Sequence, residues 1–196
     1  MEKIVVFCGS SLGFDSAYKY AAIELGKYFV TNNITLVYGG GKIGMMGILS
    51  QTILDMGGDV IGVIPELLKH EEVVNSNVTE LITTNTMSER KIIMSKLADG
   101  YITLPGGFGT LDELFESLTL SQLYIEQKPN GILNVNGFFN HTLRQLEVMI
   151  TEGYLKKSNR DMLIVEKNVN NLMLKMNAYN TPDKKDIINK VIKHDH

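Results

Sequence analysis

Three glycine-rich turns constrain the fold of this chain more than any other feature of its sequence. They are Gly9-Ser10-Ser11, Gly39-Gly40-Gly41 and the run from Pro105 to Thr110. Each turn follows a short apolar run and precedes an amphipathic, helix-like stretch, which is the pattern of a βαβ unit and predicts a parallel sheet. In such a sheet all three turns lie at the carboxyl edge, where open α/β sheets bind their ligands.

Predicted strands and helices alternate along most of the chain. The strands are predicted at 4–8, 34–37, 60–64, 81–84, 101–104, 131–135 and 162–165. A helix capped by Asp15 or Ser16 runs past Phe29, and others are predicted at 43–56, 86–97, 110–124 and 141–150. From about Asn168 the periodic pattern weakens. The length of 196 residues, without a repeat or a linker, predicts one domain over 1–180 and a C-terminal helix or tail over 181–196.

The composition excludes several classes of protein. Four scattered histidines and a single cysteine predict neither a metal site nor a disulfide framework. A net charge of −3 without a clustered basic face argues against nucleic-acid binding. No targeting segment is visible, and no apolar run approaches the roughly 18 residues that span a bilayer. We therefore expect a cytoplasmic protein with no membrane or nucleic-acid partner. Cys8 is expected to be a small core residue rather than a nucleophile.

The glycine turns predict a ligand that carries a phosphate. Glycine lets the backbone approach a ligand closely, and a helix that follows presents free N–H groups and the positive end of its dipole to an anion. The standard nucleotide fingerprints are absent, since there is neither G-x-x-x-x-G-K-[ST] nor G-x-G-x-x-G, and no acidic residue ends the second strand. A P-loop NTPase and a dinucleotide oxidoreductase are therefore disfavoured.

Two charged residues are expected near the same edge of the sheet. Arg90 lies early in the helix that begins near Thr86, and Glu113 lies early in the helix after the third glycine turn. A carboxylate beside a phosphate site suits a ligand that becomes cationic during reaction, as a sugar does when its glycosidic bond breaks. The alternative is structural, because Thr110 to Glu113 matches a capping box in which Glu113 serves only a backbone N–H. Thr86 to Glu89 forms a second capping box.

A family resemblance is carried by these same residues. The run Pro105-Gly106-Gly107-Phe108-Gly109-Thr110-Leu111-Asp112-Glu113 is similar to the P-G-G-x-G-T-x-x-E motif of the LOG family, the cytokinin riboside 5′-monophosphate phosphoribohydrolases. Met87-Ser88-Glu89-Arg90-Lys91 resembles that family's M-x-x-R-K segment, and the likeness covers roughly the first 155 residues. The resemblance implies an α/β fold, a Rossmann-like doubly wound parallel sheet with helices on both faces, in a homodimer.

The resemblance also implies a reaction and a set of site residues. The reaction is hydrolysis of the N-glycosidic bond of an adenosine 5′-monophosphate, often N6-substituted, to free base and ribose 5-phosphate, without a cofactor. Glu113 would stabilise charge at C1′ and orient or deprotonate water, and Arg90 would bind the nucleotide and fix that carboxylate. The implied substrate-binding residues are Gly9, Ser10, Gly40, Gly41, Glu72, Met87, Arg90, Lys91, Gly106, Gly107, Phe108, Gly109, Thr110 and Glu113.

The chain departs from the family pattern at three positions, and two other functions stay open. Ser88 often is His in the family, Asp112 often is Glu, and Leu120, beside the base pocket, often is aromatic. One alternative is a non-catalytic purine-nucleotide-binding or carrier protein of the same fold, which has no need of Glu113. The other is a pyridoxal-phosphate enzyme, as the label "lysine decarboxylase" on many such chains suggests. It would need a Schiff-base lysine and a pyridinium partner.

Overall fold

The computed structural model describes residues 1–69 and 74–184, and within these ranges the chain forms one seven-stranded sheet. All six strand pairings are parallel, in the order β4-β3-β2-β1-β5-β6-β7. Every predicted strand is present, with ends shifted by no more than two residues. The strands are β1 Lys3–Phe7, β2 Thr35–Tyr38, β3 Val60–Pro65, β4 Glu80–Thr84, β5 Gly100–Thr103, β6 Asn130–Leu133 and β7 Leu163–Glu166.

Helices connect the strands, as the alternation predicts. Asp15 caps the first helix by accepting a hydrogen bond from the N–H of Ala17. The Thr86 half of the predicted capping box is confirmed, since its hydroxyl accepts from the N–H of Glu89 at 3.1 Å, whereas the Glu89 carboxylate accepts from the N–H of Asn85 at 2.7 Å, one residue before the cap. The helices are α1 Ser16–Thr31, α2 Gly44–Asp55, α3 Met87–Leu97, α4 Phe108–Gln122, α5 Asn140–Thr151, α6 Lys157–Arg160 and α7 Val169–Asn177. Short 3₁₀ turns follow at Glu66–Lys69 and Val135–Gly137.

Alternate residues of the central strands pack against helices on opposite faces of the sheet. In β1, Ile4 and Val6 belong to the core formed with α1, α2 and α7. Val5 and Phe7 belong to the core formed with α3, to which Met94 contributes. A third apolar cluster joins α4 and α5 to β6 and β7. The sheet is therefore doubly wound with helices on both faces, and the predicted fold class is confirmed.

The order of the strands reverses at β1, whose neighbours are β2 on one side and β5 on the other. Open α/β sheets bind ligands beyond the carboxyl ends of the strands at such a switch point. The turns after β1 and β5 meet here, because the N–H of Gly9 donates to the carbonyl of Pro105 at 3.1 Å. The start of α2, which follows the turn after β2, is joined to them where the N–H of Met45 donates to the carbonyl of Gly9 at 3.1 Å.

Candidate active site

A pocket of about 260 Å³ lies at the switch point between β1 and β5. All three glycine turns contribute to it, together with the first turn of α3 and the first turns of α4. Its lining residues are Val6, Cys8, Gly9, Ser10, Gly39, Met46, Leu68, Met87, Arg90, Gly107, Phe108, Gly109, Thr110, Asp112 and Glu113. The structure therefore brings Arg90 and Glu113 into one cavity with all three of the glycine turns predicted to bind a phosphate.

Arg90 and Glu113 form an ion pair inside this pocket. Nη2 of Arg90 donates to Oε1 of Glu113 at 3.4 Å, across 23 residues of sequence. The two side chains are only 9% and 12% exposed, so the pair is almost entirely removed from water. A buried carboxylate and guanidinium lose much hydration free energy, and removal of either partner would leave the other charge buried without compensation. The ion pair is therefore buried, with both side chains held in place, and differs from a solvent-exposed salt bridge.

The remaining nitrogens of Arg90 are held in a largely apolar setting. Nη1 lies 3.9 Å from the sulfur of Met87, one helical turn earlier in α3. Nε is buried, and it has no hydrogen-bond partner in the described part of the chain. Arg90 is the fourth residue of α3, and the cap at Thr86 fixes where that helix begins. The cap thereby aims the side chain at the carboxyl edge of the sheet.

Glu113 has a perturbed acidity. Burial raises the pKa of its carboxyl from 4.5 to about 7, even though the positive charges of Arg90 and Lys91 act in the opposite direction. The negative charges of Asp112 and Glu116 contribute to the rise. A carboxyl with a pKa near neutrality exchanges a proton readily at physiological pH, which is the property required of a general acid or base.

The structural alternative for Glu113 is wrong. Helix α4 begins at Phe108 with Gly107 as its N-cap residue, two residues before the predicted start at Thr110. Thr110 is therefore the third residue inside the helix, 4% exposed, and it cannot act as the cap that a capping box needs. The prediction failed because glycine caps this helix without a side-chain signal. The Glu113 side chain bonds to Arg90 instead.

The start of α4 leaves open space beside its backbone. An added Cβ at Gly107 or Gly109 would have no heavy atom within 4 Å, apart from the neighbouring residues. The first N–H groups of a helix have no partner inside it, so they are free to bind an anion in this space. Phe108 lies between the two glycines, 95% exposed at the edge of the pocket.

Other predicted site residues lie elsewhere. Gly106 lines an adjacent cavity of about 320 Å³, which Gly9, Ser10 and Gly107 also border. Gly40 and Gly41 are not among the lining residues of either cavity. Their backbones pair with residues 74–75 instead, through a 3.0 Å hydrogen bond and an isolated β-bridge.

Two further predicted positions do not reach the Arg90 pocket in the structure as described. Lys91 bonds to Asp112 at 2.7 Å and Glu116 at 2.6 Å, so it links α3 to α4 instead of lining that cavity. Glu72 lies outside the described residues.

Cys8 is a buried core residue, as predicted, although it also borders the pocket. It is 7% exposed and is part of the apolar cluster under α1 and α2. Burial raises the pKa of its thiol, and the nearby carboxylate of Glu113 raises it further. A thiol that does not ionise is a poor nucleophile. Gly39, Met46 and Leu68 line the pocket as well but are not among the residues predicted from sequence.

Comparison with known proteins identifies the family. The family model described as "Possible lysine decarboxylase" matches residues 46–176. Cytokinin riboside 5′-monophosphate phosphoribohydrolase LOG1 of Arabidopsis thaliana is 44% identical, over 91% of this chain and 84% of its own length. Its counterpart LOG of Oryza sativa subsp. japonica is also 44% identical, over 91% of this chain and 74% of its own length. The chain belongs to the LOG family.

More distant solved structures share the fold of this LOG-family chain. The molybdenum cofactor carrier protein of Chlamydomonas reinhardtii superposes with a TM-score of 0.68 at 19% identity, covering 90% of this chain and 96% of its own. At that identity the likeness extends to the fold alone.

The decarboxylase wording in the family's description finds no counterpart in this pocket. Among the described residues that line it there is no lysine to form a Schiff base. Among all the residues that the structure describes, no group of three or more His, Cys, Asp or Glu side chains is arranged to bind a metal ion. No described helix is long and apolar enough to cross a membrane.

Proposed function

We propose that this LOG-family chain hydrolyses the N-glycosidic bond of adenosine 5′-monophosphates, including N6-substituted ones, to free base and ribose 5-phosphate. The observation that carries the proposal is the buried Arg90–Glu113 pair, which faces the pocket formed by the glycine turns. The phosphoribohydrolase relatives at 44% identity support the same reaction. An activity of this kind would convert a cytokinin nucleotide into the active free base.

The start of α4 provides the site for the 5′-phosphate. The backbone N–H groups of Gly107, Phe108 and Gly109 and the positive end of the helix dipole favour an anion there. Glu113 lies six residues beyond Gly107, which corresponds to about 9 Å along the helix axis. A nucleotide whose phosphate binds at the helix start therefore extends its sugar towards the carboxyl of Glu113.

Glu113 performs the chemistry at C1′. When the bond from C1′ to the base nitrogen breaks, its electron pair leaves with the base, and the sugar becomes an oxocarbenium-like cation. The ionised carboxylate stabilises that cation and accepts a proton from the water molecule whose oxygen bonds to C1′. The departing base is protonated from solvent. Arg90 supplies the positive charge that favours the ionised carboxylate in a buried setting.

Direct product analysis tests the proposal. The protein is incubated with AMP and with N6-isopentenyl-AMP, and free base and ribose 5-phosphate are followed by chromatography. We expect free base and ribose 5-phosphate in equal amounts from each substrate. The ratio of the rates with N6-isopentenyl-AMP and with AMP measures the preference for an N6 substituent. Glu113→Gln is the matched control, because it keeps the shape of the side chain but cannot accept the proton.

The alternative of a nucleotide-binding protein predicts a different result. AMP would then raise the melting temperature by binding to the native state, while no base would be released. That outcome would contradict the proposed hydrolysis and support the carrier function.

We further propose that the chain forms a homodimer and is cytoplasmic. Apolar side chains are exposed along the groove between α3 and α4, where Ile92 is 53% exposed and Ile125 64%. Clustered exposed apolar residues are typical of protein–protein interfaces, which supports a dimer formed through this groove. The free Cys8 thiol suits a reducing compartment, and cell fractionation tests the location.

A further inference from the structure

We propose that Gly39 is a positioning residue for Arg90. The absence of a side chain at this glycine leaves the space in which the guanidinium lies while it donates to Glu113. The kinetic part of this inference rests on the proposed function, whereas its structural part does not.

The space beside the α-carbon of Gly39 is occupied by one nitrogen of the Arg90 side chain. A Cβ added to Gly39 would overlap Nη2 of Arg90 and would lie 3.2 Å from both Cζ of Arg90 and the sulfur of Met46. Nη2 is the same atom that donates to Oε1 of Glu113 at 3.4 Å. A methyl group at position 39 and the ion pair therefore compete for the position of a single atom.

Backbone conformation does not explain the glycine at this position. Gly39 is not among the glycines with a positive φ, so alanine can adopt its backbone angles. The next residue is different, since Gly40 has a φ of +80°, which L side chains rarely adopt. Two adjacent glycines of one turn are thus required for different reasons, Gly40 for its conformation and Gly39 for the approach of the guanidinium.

The guanidinium is the end of a flexible side chain that lines the pocket, so it is the group that yields to a methyl group on Gly39. Arg90 is 7% exposed, and the sulfurs of Met46 and Met87 flank the region around its guanidinium. A methyl group on Gly39 would therefore push Nη2 out of its present position beside Glu113. Displacements of about 1 Å in a catalytic group cost roughly 10²-fold in rate.

A double-mutant cycle between Gly39→Ala and Arg90→Ala tests the inference, with both melting temperature and turnover of AMP as measurements. We expect Gly39→Ala to lower kcat by roughly 10²-fold and to lower the melting temperature. In the Arg90→Ala background the same change should have almost no further effect on either quantity, because no guanidinium remains to be displaced. Equal losses in both backgrounds, or an unchanged kcat in Gly39→Ala, would overturn the inference.

The pH dependence provides a measurement that a purely structural role would not change. The charged and titratable groups that act on Glu113 are Arg90 and Lys91 of α3, Asp112 and Glu116 of α4, and Cys8 after β1. Of these, Gly39→Ala displaces only Arg90, whose charge lowers the pKa of Glu113. We therefore expect the midpoint of the pH profile of kcat/KM to move upward in Gly39→Ala.

Gly26→Ala is the matched control for a methyl group in a crowded place. Its Cβ would lie 3.0 Å from a methyl carbon of Thr52, where α1 packs on α2 and away from the Arg90 pocket. This variant should keep its kcat whichever way its melting temperature moves, since alanine also favours the helical conformation of α1 over glycine. A comparable fall in kcat would indicate that any crowded methyl group impairs the enzyme, and would overturn the assignment of Gly39.

Two outcomes separate the inference from the proposed function. If Gly39→Ala is too unstable to assay, the double variant should regain the stability of Arg90→Ala, and a double variant that also fails to fold contradicts the inference. If neither wild type nor any variant releases base, but the effects of the two substitutions on the melting temperature are non-additive as expected, then Gly39 positions Arg90 and the proposed hydrolysis fails.

Discussion

At the scale of single residues, the carboxyl of Glu113 is subject to two opposing influences. Burial favours its protonated form, whereas the guanidinium of Arg90 favours the ionised form. The balance raises the pKa to about 7, near the pH at which the reaction runs in a cell. A fully exposed glutamate would always be ionised there and would be a weaker base, so the burial itself contributes to reactivity.

The pH profile should report this carboxyl. Because the proposed mechanism uses the ionised form of Glu113, we expect kcat/KM for AMP to rise as the pH increases through about 7 and then to level off. In Glu113→Gln the rate should fall by roughly 10²-fold or more, and the titration near neutrality should disappear. A variant with a near-normal rate and the same profile would remove Glu113 from the mechanism.

The same raised pKa should make stability depend on pH. The folded state retains the Glu113 proton up to about pH 7, whereas the unfolded chain releases it near its ordinary value of 4.5. The folded state thus binds more protons across this window, and linkage requires the contribution of Glu113 to stability to fall as the pH rises through it. The unfolding free energies of wild type and Glu113→Gln are measured by denaturant unfolding across this pH range. Wild type should lose stability relative to Glu113→Gln as the pH rises, because the glutamine does not titrate.

At the scale of elements, the start of α4 presents an open helix end to the pocket. Gly107 caps the helix without a side chain, and neither Gly107 nor Gly109 packs against another residue through the position of its missing Cβ. The space kept open there is part of the pocket. The glycines at these two positions therefore leave the pocket open and take little part in the packing of the fold.

Gly107→Val should fill that space. We expect AMP to stop raising the melting temperature of this variant, because the valine side chain would project into the site proposed for the phosphate. The melting temperature without ligand and the circular dichroism spectrum check that the variant still folds. A folded variant that responds to AMP like wild type would place the phosphate elsewhere.

Helix α7 shows a signal that was present in the sequence but was not recognised. Val169, Leu172, Met173 and Met176 follow the i, i+3, i+4, i+7 spacing of an amphipathic helix, and all four are buried in the main core. Helix α7 was not predicted, because polar residues separate these positions and no glycine turn precedes the helix. The predicted tail over 181–196 lies mostly outside the described residues.

At the scale of the whole molecule, topology assembles the site from distant parts of the chain. The reversal of strand order at β1 brings the turns after β1 and β5 together, about 95 residues apart in sequence. The position of Gly106 illustrates how close they are, because a Cβ on it would lie 2.8 Å from the backbone nitrogen of Gly9. Arg90 and Glu113 then enter from two neighbouring helices, which Lys91 links through Asp112 and Glu116.

The proposed dimer can be tested on the exposed groove between α3 and α4. Ile92→Glu places a charge among its apolar residues, so we expect the variant to be a monomer by size-exclusion chromatography with light scattering, while wild type is a dimer. Tyr20→Glu, on α1, is the control, because it replaces another exposed apolar side chain, 62% exposed, away from that groove. Wild-type protein that elutes as a monomer would contradict the proposed assembly.

The sequence alone determined the order and type of the elements through β7 apart from the short α6, the place of the glycine turns at one sheet edge, and the approach of Arg90 and Glu113 to that edge. These features follow from local periodicity and short motifs, which depend only on residues close together in the sequence. Only the tertiary structure decided that Gly107 caps α4, that burial raises the pKa of Glu113 to about 7, and that Gly39 leaves space for Arg90. Those depend on which distant segments pack together and exclude water, and no local pattern encodes that.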